Sequence, residues 1–276
     1  MKSLRPDDYA KLAYIHSNRT ITFRLFREKF FPDKSHVRAW QLLKLYASKE
    51  KGYLFIEQRS KFEEAVLGLT RKAILELREK QIALVTFVHP VAINWKHVDH
   101  HHRVVSLRIT LENNPHFDDV FWVSDFEMQC GIGKEAKWAY RLLDQAGREE
   151  YSRTWRQKTL DRVPDGYFEA LVGGKNIPFV LEYEHARYSR EKVFGIIRGL
   201  ERDFAESNKL FVCETAENAI KLNNLIWTSM DATKRRTINR KLWLISDFKT
   251  VKEKPFEEAF KPIEKPVETK GIPNSS

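Results

Sequence analysis

Cysteine is nearly absent from this chain. Cys130 and Cys213 are the only two in 276 residues, too few for a disulfide framework, and no CxxC pair exists to hold zinc. Long apolar runs are missing too, since none approaches the roughly 18 residues a membrane-spanning helix needs. The opening segment, MKSLRPDDYAKLAY, lacks the apolar block of a signal peptide. No internal repeat is visible, and no heptad seam demands a coiled-coil dimer. These absences lead to the expectation of a cytoplasmic protein with no membrane partner.

Charge is abundant and unevenly placed. Residues 1–106 contain 20 Lys and Arg against 11 Asp and Glu, whereas residues 107–276 contain 28 against 27. The first part therefore carries +9 of the net +10. Such asymmetry is the footprint of a polyanion-binding module joined to a neutral one, and a solvated basic face is the bland alternative.

Local patterning favours the first reading. Asp7–Ser17 is expected to form a first helix, and TITFRLFREKFF from Thr20 a second that stops near Pro32. A third helix, capped by Asp33 or Ser35, is expected to run to about Lys49, with Gly52 just past its end. Val37, Trp40, Leu43 and Ala47 make an apolar stripe at helical spacing, leaving Lys34, Arg38, Gln41, Lys44 and Ser48 elsewhere on its surface. Arg and Gln hydrogen-bond base edges and Lys meets phosphate. Tyr53–Gln58 and Phe62–Leu69 then form a hairpin with Lys51, Arg59 and Lys61 near its ends. Together these features predict a winged helix-turn-helix over residues 1–95 that binds DNA through Lys34, Ser35, Arg38, Gln41, Lys44, Lys51, Arg59 and Lys61. Homodimers are common among such modules.

The rest of the chain alternates strands and helices. Expected strands lie at Asp119–Phe126, Tyr167–Val172, Ile177–Glu184, Leu210–Cys213 and Leu242–Ile245. Expected helices run from Lys134 to about Lys158, from a Ser189 cap with Val193, Ile196, Ile197 and Leu200 inward, and from Ala216 to Trp227. The class is α/β, or α+β overall, with a mixed sheet flanked by helices over residues 96–250. From Lys252 onward the chain holds four of its ten prolines amid Glu and Lys, so residues 251–276 are expected to be a disordered tail. His100, His101 and His102 diverge as sequence neighbours, which favours packing or capping over a shared metal.

One segment carries candidate chemistry. PDGYFEALVGGKNIPFVLEYE, from Pro164 to Glu184, joins two strand-like runs by a Gly-Gly-Lys-Asn turn. Glu182 and Glu184 share a strand face, and antiparallel pairing could bring Asp165 beside them. Carboxylates at a strand end suit Mg²⁺, a hard cation that takes oxygen ligands. Asp165, Glu182 and Glu184 are thus the candidate metal ligands, with Glu127 or Asp125 as a further carboxylate. The competing reading has Asp165 holding a turn ahead of Gly166, and Glu182 and Glu184 pairing with Arg187, Arg190 or Lys192.

Two resemblances follow. VLGLTRKAILEL, DHHHRVVSLRI and PDGYF followed by PFVLEYEHARYSREK, after the winged-helix pattern, are similar to the plasmid-associated replication-relaxation family of bacterial proteins, from about residue 15 to 215. That resemblance implies a DNA-binding protein of plasmids or mobile elements acting in replication, relaxation or transfer, with a relaxase or replication initiator as a partner. At fold level, Pro164-Asp165 and Glu182 resemble the PD-(D/E)XK, or restriction-endonuclease-like, nucleases. The family's lysine orients water and stabilises the phosphorane, but Glu184 stands in its place and supplies no positive charge. Lys192 or Arg187 would have to substitute. The resemblance therefore leaves open a Mg²⁺-dependent nuclease or nickase using Asp165, Glu182, Glu184 and Lys192, and a non-enzymatic accessory partner built on the same fold.

Overall fold

The computed structural model describes residues 4–48, 52–60, 63–80, 82, 93, 95, 97–129, 163–184, 189–232 and 238–265. The helix expected over residues 134–158 and Arg187 lie outside them. The fold is mixed α/β, with a three-stranded antiparallel sheet and a six-stranded mixed sheet whose strands, in spatial order, are Val120–Ser124, Gly166–Val172, Lys175–Glu184, Asn208–Cys213, Trp243–Asp247 and Lys261–Pro262. The chain divides into two compact units. Among the described residues, the first comprises those within 4–113, 120–129 and 165–168, and the second those within 114–119, 163–164 and 169–265.

The first unit opens with α1 (Pro6–Ser17), β1 (Thr20–Thr22), α2 (Phe23–Phe30) and α3 (His36–Ala47). β2 (Leu54–Glu57), β3 (Val66–Leu69), α4 (Arg71–Glu79) and α5 (Val98–Glu112) follow. Thr20–Thr22 was expected to start a helix and instead forms a strand. Its β-branched Thr-Ile-Thr run suits the pleated backbone, and it pairs antiparallel with β3, Ile21 opposite Leu67. Thr22 then caps α2, accepting from the Leu25 amide at 3.3 Å. β3 also pairs with β2, so the sheet order is β1-β3-β2.

The core of this unit gathers Leu12 and Ile15 of α1, Leu25 and Phe26 of α2, Ala39 and Leu43 of α3, and Ile74 and Leu77 of α4. Each is fully or almost fully buried, and truncating one such leucine to alanine costs about 2–5 kcal/mol. Val105 and Ile109 of α5 join the same core. A first domain ending near residue 95 would omit them. They belong to it because α5 presents its buried stripe to the same cluster.

β4 (Val120–Ser124) and α6 (Asp125–Gln129) follow in the first unit. β5 (Gly166–Val172) and β6 (Lys175–Glu184) are joined by Gly173 and Gly174 alone. Both glycines have positive φ, +55° and +77°, the two-residue hairpin geometry that strongly favours glycine.

The second unit alternates β6, α7 (Arg190–Asp203), β7 (Asn208–Cys213), α8 (Ala216–Ala232) and β8 (Trp243–Asp247). Ser189 caps α7 through the Lys192 amide, and Val193, Ile196, Ile197 and Leu200 are buried as their spacing predicts. β6, β7 and β8 run parallel, placing Glu184 opposite Cys213 and Cys213 opposite Asp247. Burial raises the Cys213 thiol, and the neighbouring Glu184 and Asp247 add to the rise, pushing it up to about 12.

Part of the expected disordered tail is structured. α9 (Phe248–Glu253), α10 (Phe256–Ala259) and β9 (Lys261–Pro262) continue the second unit, and β9 pairs antiparallel with β8. The proline and charge content outweighs the apolar residues in a composition argument. Yet Val251, Phe256, Phe260 and Ile263 are all buried. Phe256 meets Phe117 at 5.0 Å and Phe260 at 4.9 Å between ring centroids. Residues 266–276 lie outside the described part.

Candidate nucleic-acid interface

The surface of α3 is built by the residues that bury its other side. Ala39, Leu43 and Tyr46 face the core, and the Tyr46 hydroxyl donates to buried Asp8 at 2.5 Å. Burial pushes the Asp8 carboxyl up, but the bonds from Tyr46 and from the Arg5 amide outweigh it, and the net shift is downward. The expected stripe of Val37, Trp40, Leu43 and Ala47 is therefore rotated. Val37 is 65% exposed, and Tyr46 replaces it inside because its polar tip has a partner.

Contacts from α2 fix the presentation of α3. Phe23 lies edge-on to Trp40 at 4.8 Å and to His36 at 4.9 Å. Arg27 Nε donates to the Lys34 carbonyl at 2.9 Å, pinning the connection between the two helices. Ser35 is the N-cap of α3, accepting from the Arg38 amide at 3.3 Å. Its expected contact with DNA competes with that capping bond.

The face opposite the core holds Arg38, Gln41 and Lys44, all exposed, with Lys34 exposed just before the helix. At about 100° per residue, Lys44, Val37, Gln41, Leu45 and Arg38 fall within an arc of about 120°. Arg38 Nη1 reaches Gln41 Oε1 at a long 3.4 Å, and Lys44 Nζ sits 5.6 Å from the centroid of the Trp40 ring. Arg59 is exposed in the β2–β3 connection. Lys51 and Lys61, also expected to bind, lie outside the described residues. Leu45, exposed on the same arc, was not singled out from sequence, and Val37 was expected in the buried stripe. The signal available was that α3 has more apolar residues than one helical face can bury.

The carboxylates stand differently. Asp165 belongs to the first unit, where its Oδ1 lies 3.0 Å from His100 Nε2 of α5. Gly166 beside it is required by packing, because a Cβ there would lie 2.4 Å from Trp122 Cζ2. Glu182 and Glu184 belong to the second unit and are buried on β6, 2% and 7% exposed. Lys192 is exposed in the first turn of α7. Asp125 pairs with Arg19 at 3.1 Å. Glu127 accepts from the Ser124 amide at 2.9 Å and from its hydroxyl at 3.2 Å. Among the described residues, no three His, Cys, Asp or Glu side chains gather closely enough to hold a metal ion.

The remaining histidines of the triplet also have packing roles. His101 Nε2 meets the carbonyls of Asn18 and Thr20, the latter at 3.2 Å. Burial lowers His101, and lowers His102 to about 3 with help from neighbouring His101 and Arg24. Further along α5 is a polar cluster that the sequence reading passed over. Arg108 donates to Glu112 at 2.7 Å, to Ser17 at 2.9 Å and to Asn18 at 3.1 Å. Lys29 reaches Glu112 at 2.8 Å. Burial opposes charge on Glu112, yet Arg108 and Lys29 hold its carboxyl below the usual range.

No family model, curated protein or solved structure matches the chain. Among the described residues, no helix is long and apolar enough to cross a membrane.

Proposed function

We propose that the chain binds duplex DNA, with residues 4–80 acting as a winged helix-turn-helix. α3 is the recognition helix and the β2–β3 connection the wing. The observation that carries this reading is the order α1-β1-α2-α3-β2-β3 with sheet order β1-β3-β2, combined with the two-sided character of α3. One side is locked into the core, and the other offers Arg38, Gln41 and Lys44 to solvent. These are the donors that read base edges and neutralise phosphates in a major groove. The net +9 of residues 1–106 supplies the long-range attraction.

The resemblance to the replication-relaxation family extends the proposal to DNA of plasmids or other mobile elements, in replication, relaxation or transfer. The strand-strand-helix-strand run β5-β6-α7-β7 supports reading the sheet as a PD-(D/E)XK-like scaffold. Catalysis is the weaker reading for it. Glu184 brings a negative charge where that chemistry needs a positive one, and Asp165 is engaged by His100.

The test is equilibrium binding of the full chain to labelled duplexes across a salt series. Affinity should fall steeply as salt rises, because each phosphate contact releases counterions. Arg38→Ala and Lys44→Ala should each weaken binding about tenfold, and a lost phosphate contact should also reduce the salt slope by about one. Binding that ignores both salt and these substitutions would sink the proposal.

A further inference from the structure

Four large hydrophobic side chains are exposed among the described residues, and two of them sit on α3: Val37 at 65% and Leu45 at 55%. They lie eight residues apart with Gln41 midway between them, all on the solvent arc of the helix. Single exposed leucines need no explanation. Two on one arc, flanking an amide and bordered by Arg38 and Lys44, form a patterned surface.

We infer that this surface reads A·T pairs in the major groove, Val37 and Leu45 each packing on a thymine methyl and Gln41 bonding an adenine between them. The inference rests on the DNA-binding reading above and adds what that reading leaves open, the class of sequence recognised. In the major groove a thymine presents its C5 methyl to apolar side chains, and an adenine presents N7 and N6–H₂ as a matched pair for a Gln amide. Val37 and Leu45 are about 12 Å apart along the helix axis at 1.5 Å per residue. That matches three to four base pairs at about 3.4 Å each, so the two methyls come from thymines with that separation.

A second copy of the chain is the competing occupant for this stripe. Two side chains fall far short of the roughly 800 Å² per partner that a stable interface buries. A symmetric contact would also bring Arg38 and Lys44 against their own copies, whereas duplex DNA brings complementary charge to the same residues.

The experiment uses the full chain. A duplex selected from a random pool is compared with the same duplex carrying deoxyuridine at single thymine positions, which removes only the methyl. Wild type should bind about fourfold more weakly for each contacted methyl removed. Val37→Ala should become indifferent to one of the two positions and Leu45→Ala to the other, with the salt slope unchanged in both. Both positions are exposed, so the variants test recognition rather than folding. Equal affinity for thymine and deoxyuridine duplexes, or selection of sites without paired A·T positions, overturns the inference while leaving DNA binding intact. Self-association that disappears in the double variant, with no deoxyuridine effect, assigns the stripe to a second copy and also overturns it. Failure to bind any duplex overturns the underlying DNA-binding reading as well.

Discussion

His100 Nε2 lies 3.0 Å from Asp165 Oδ1. The contact joins the first turn of α5 to the residue just before β5, across 65 positions of sequence. Two features that looked unrelated in the sequence, a histidine triplet and a Pro-Asp pair, are thus one interaction. Both side chains are partly exposed, so the pair is worth less than a buried ion pair. A double-mutant cycle with His100→Ala and Asp165→Asn should give a coupling of about 0.5–1 kcal/mol, read from urea midpoints. A coupling near zero would show that the two side chains do not depend on each other.

The same pairing bears on cleavage. Supercoiled plasmid incubated with the protein and Mg²⁺ or Mn²⁺ should be nicked no faster by wild type than by Asp165→Ala. Gel quantitation that finds nicking by wild type and none by the variant would restore the nuclease reading. Lys192→Ala would then ask whether α7 supplies the missing positive charge.

His16 gives a prediction for acid stability. Burial lowers its imidazole to about 4, with Glu127 opposing the shift, and its Nε2 has no hydrogen-bond partner among the described residues. Unfolded histidine takes a proton near pH 6.5. Between pH 6.5 and about 4 the unfolded chain therefore binds more protons than the folded one, so stability falls as pH falls through that window. The contribution of this one group is about 3 kcal/mol when the window is fully crossed. His16→Gln should flatten the stability-versus-pH profile there, measured by chemical denaturation at several pH values. An unchanged slope would mean the folded imidazole titrates normally.

Much of this architecture was legible in the sequence wherever a local rule operated alone. Ser189 as a cap, the 193-196-197-200 stripe and the Gly-Gly hairpin each follow from one local requirement, and each is observed. Thr20–Thr22 was misread because its strand exists only by pairing with β3, more than forty residues away. Arg108 escaped notice because a buried guanidinium is explained by its partners Glu112, Ser17 and Asn18, which periodicity does not reveal. The α3 surface was half legible. Its polar residues announced themselves, while Val37 was assigned to the core because a valine at helical spacing is indistinguishable from a core residue until Tyr46 finds Asp8.

Gly166 tests the packing beside Asp165. A methyl at this position would lie 2.4 Å from Trp122, whose ring is stacked on Phe168 at 5.2 Å and is itself buried. The ring has little room to retreat, so Gly166→Ala should destabilise by about 1–3 kcal/mol. In a Trp122→Phe background the smaller ring leaves space, and the same substitution should cost clearly less. Additive losses in thermal unfolding would place the strain in the backbone instead.

Lys209 offers the last prediction, because its ammonium is buried in the second unit. Its Nζ donates to the Ala205 carbonyl at 2.8 Å and lies 3.3 Å from Glu201 Oε1, which also accepts from the Trp243 indole at 2.9 Å. Burial lowers the Lys209 pKa, and Glu201 partly restores it. Glu201→Gln keeps an acceptor but removes the countercharge, and leaving a buried ammonium without one should cost about 3 kcal/mol. In that variant the folded pKa drops further below the ordinary lysine value of about 10.4. Between the two values the unfolded state binds more protons, so stability should rise with pH as the buried amine becomes neutral. Lys209→Met in the same background removes the charge and should restore most of the lost stability at neutral pH. A Glu201→Gln protein with wild-type stability and no alkaline recovery would show that Ala205 alone satisfies the ammonium.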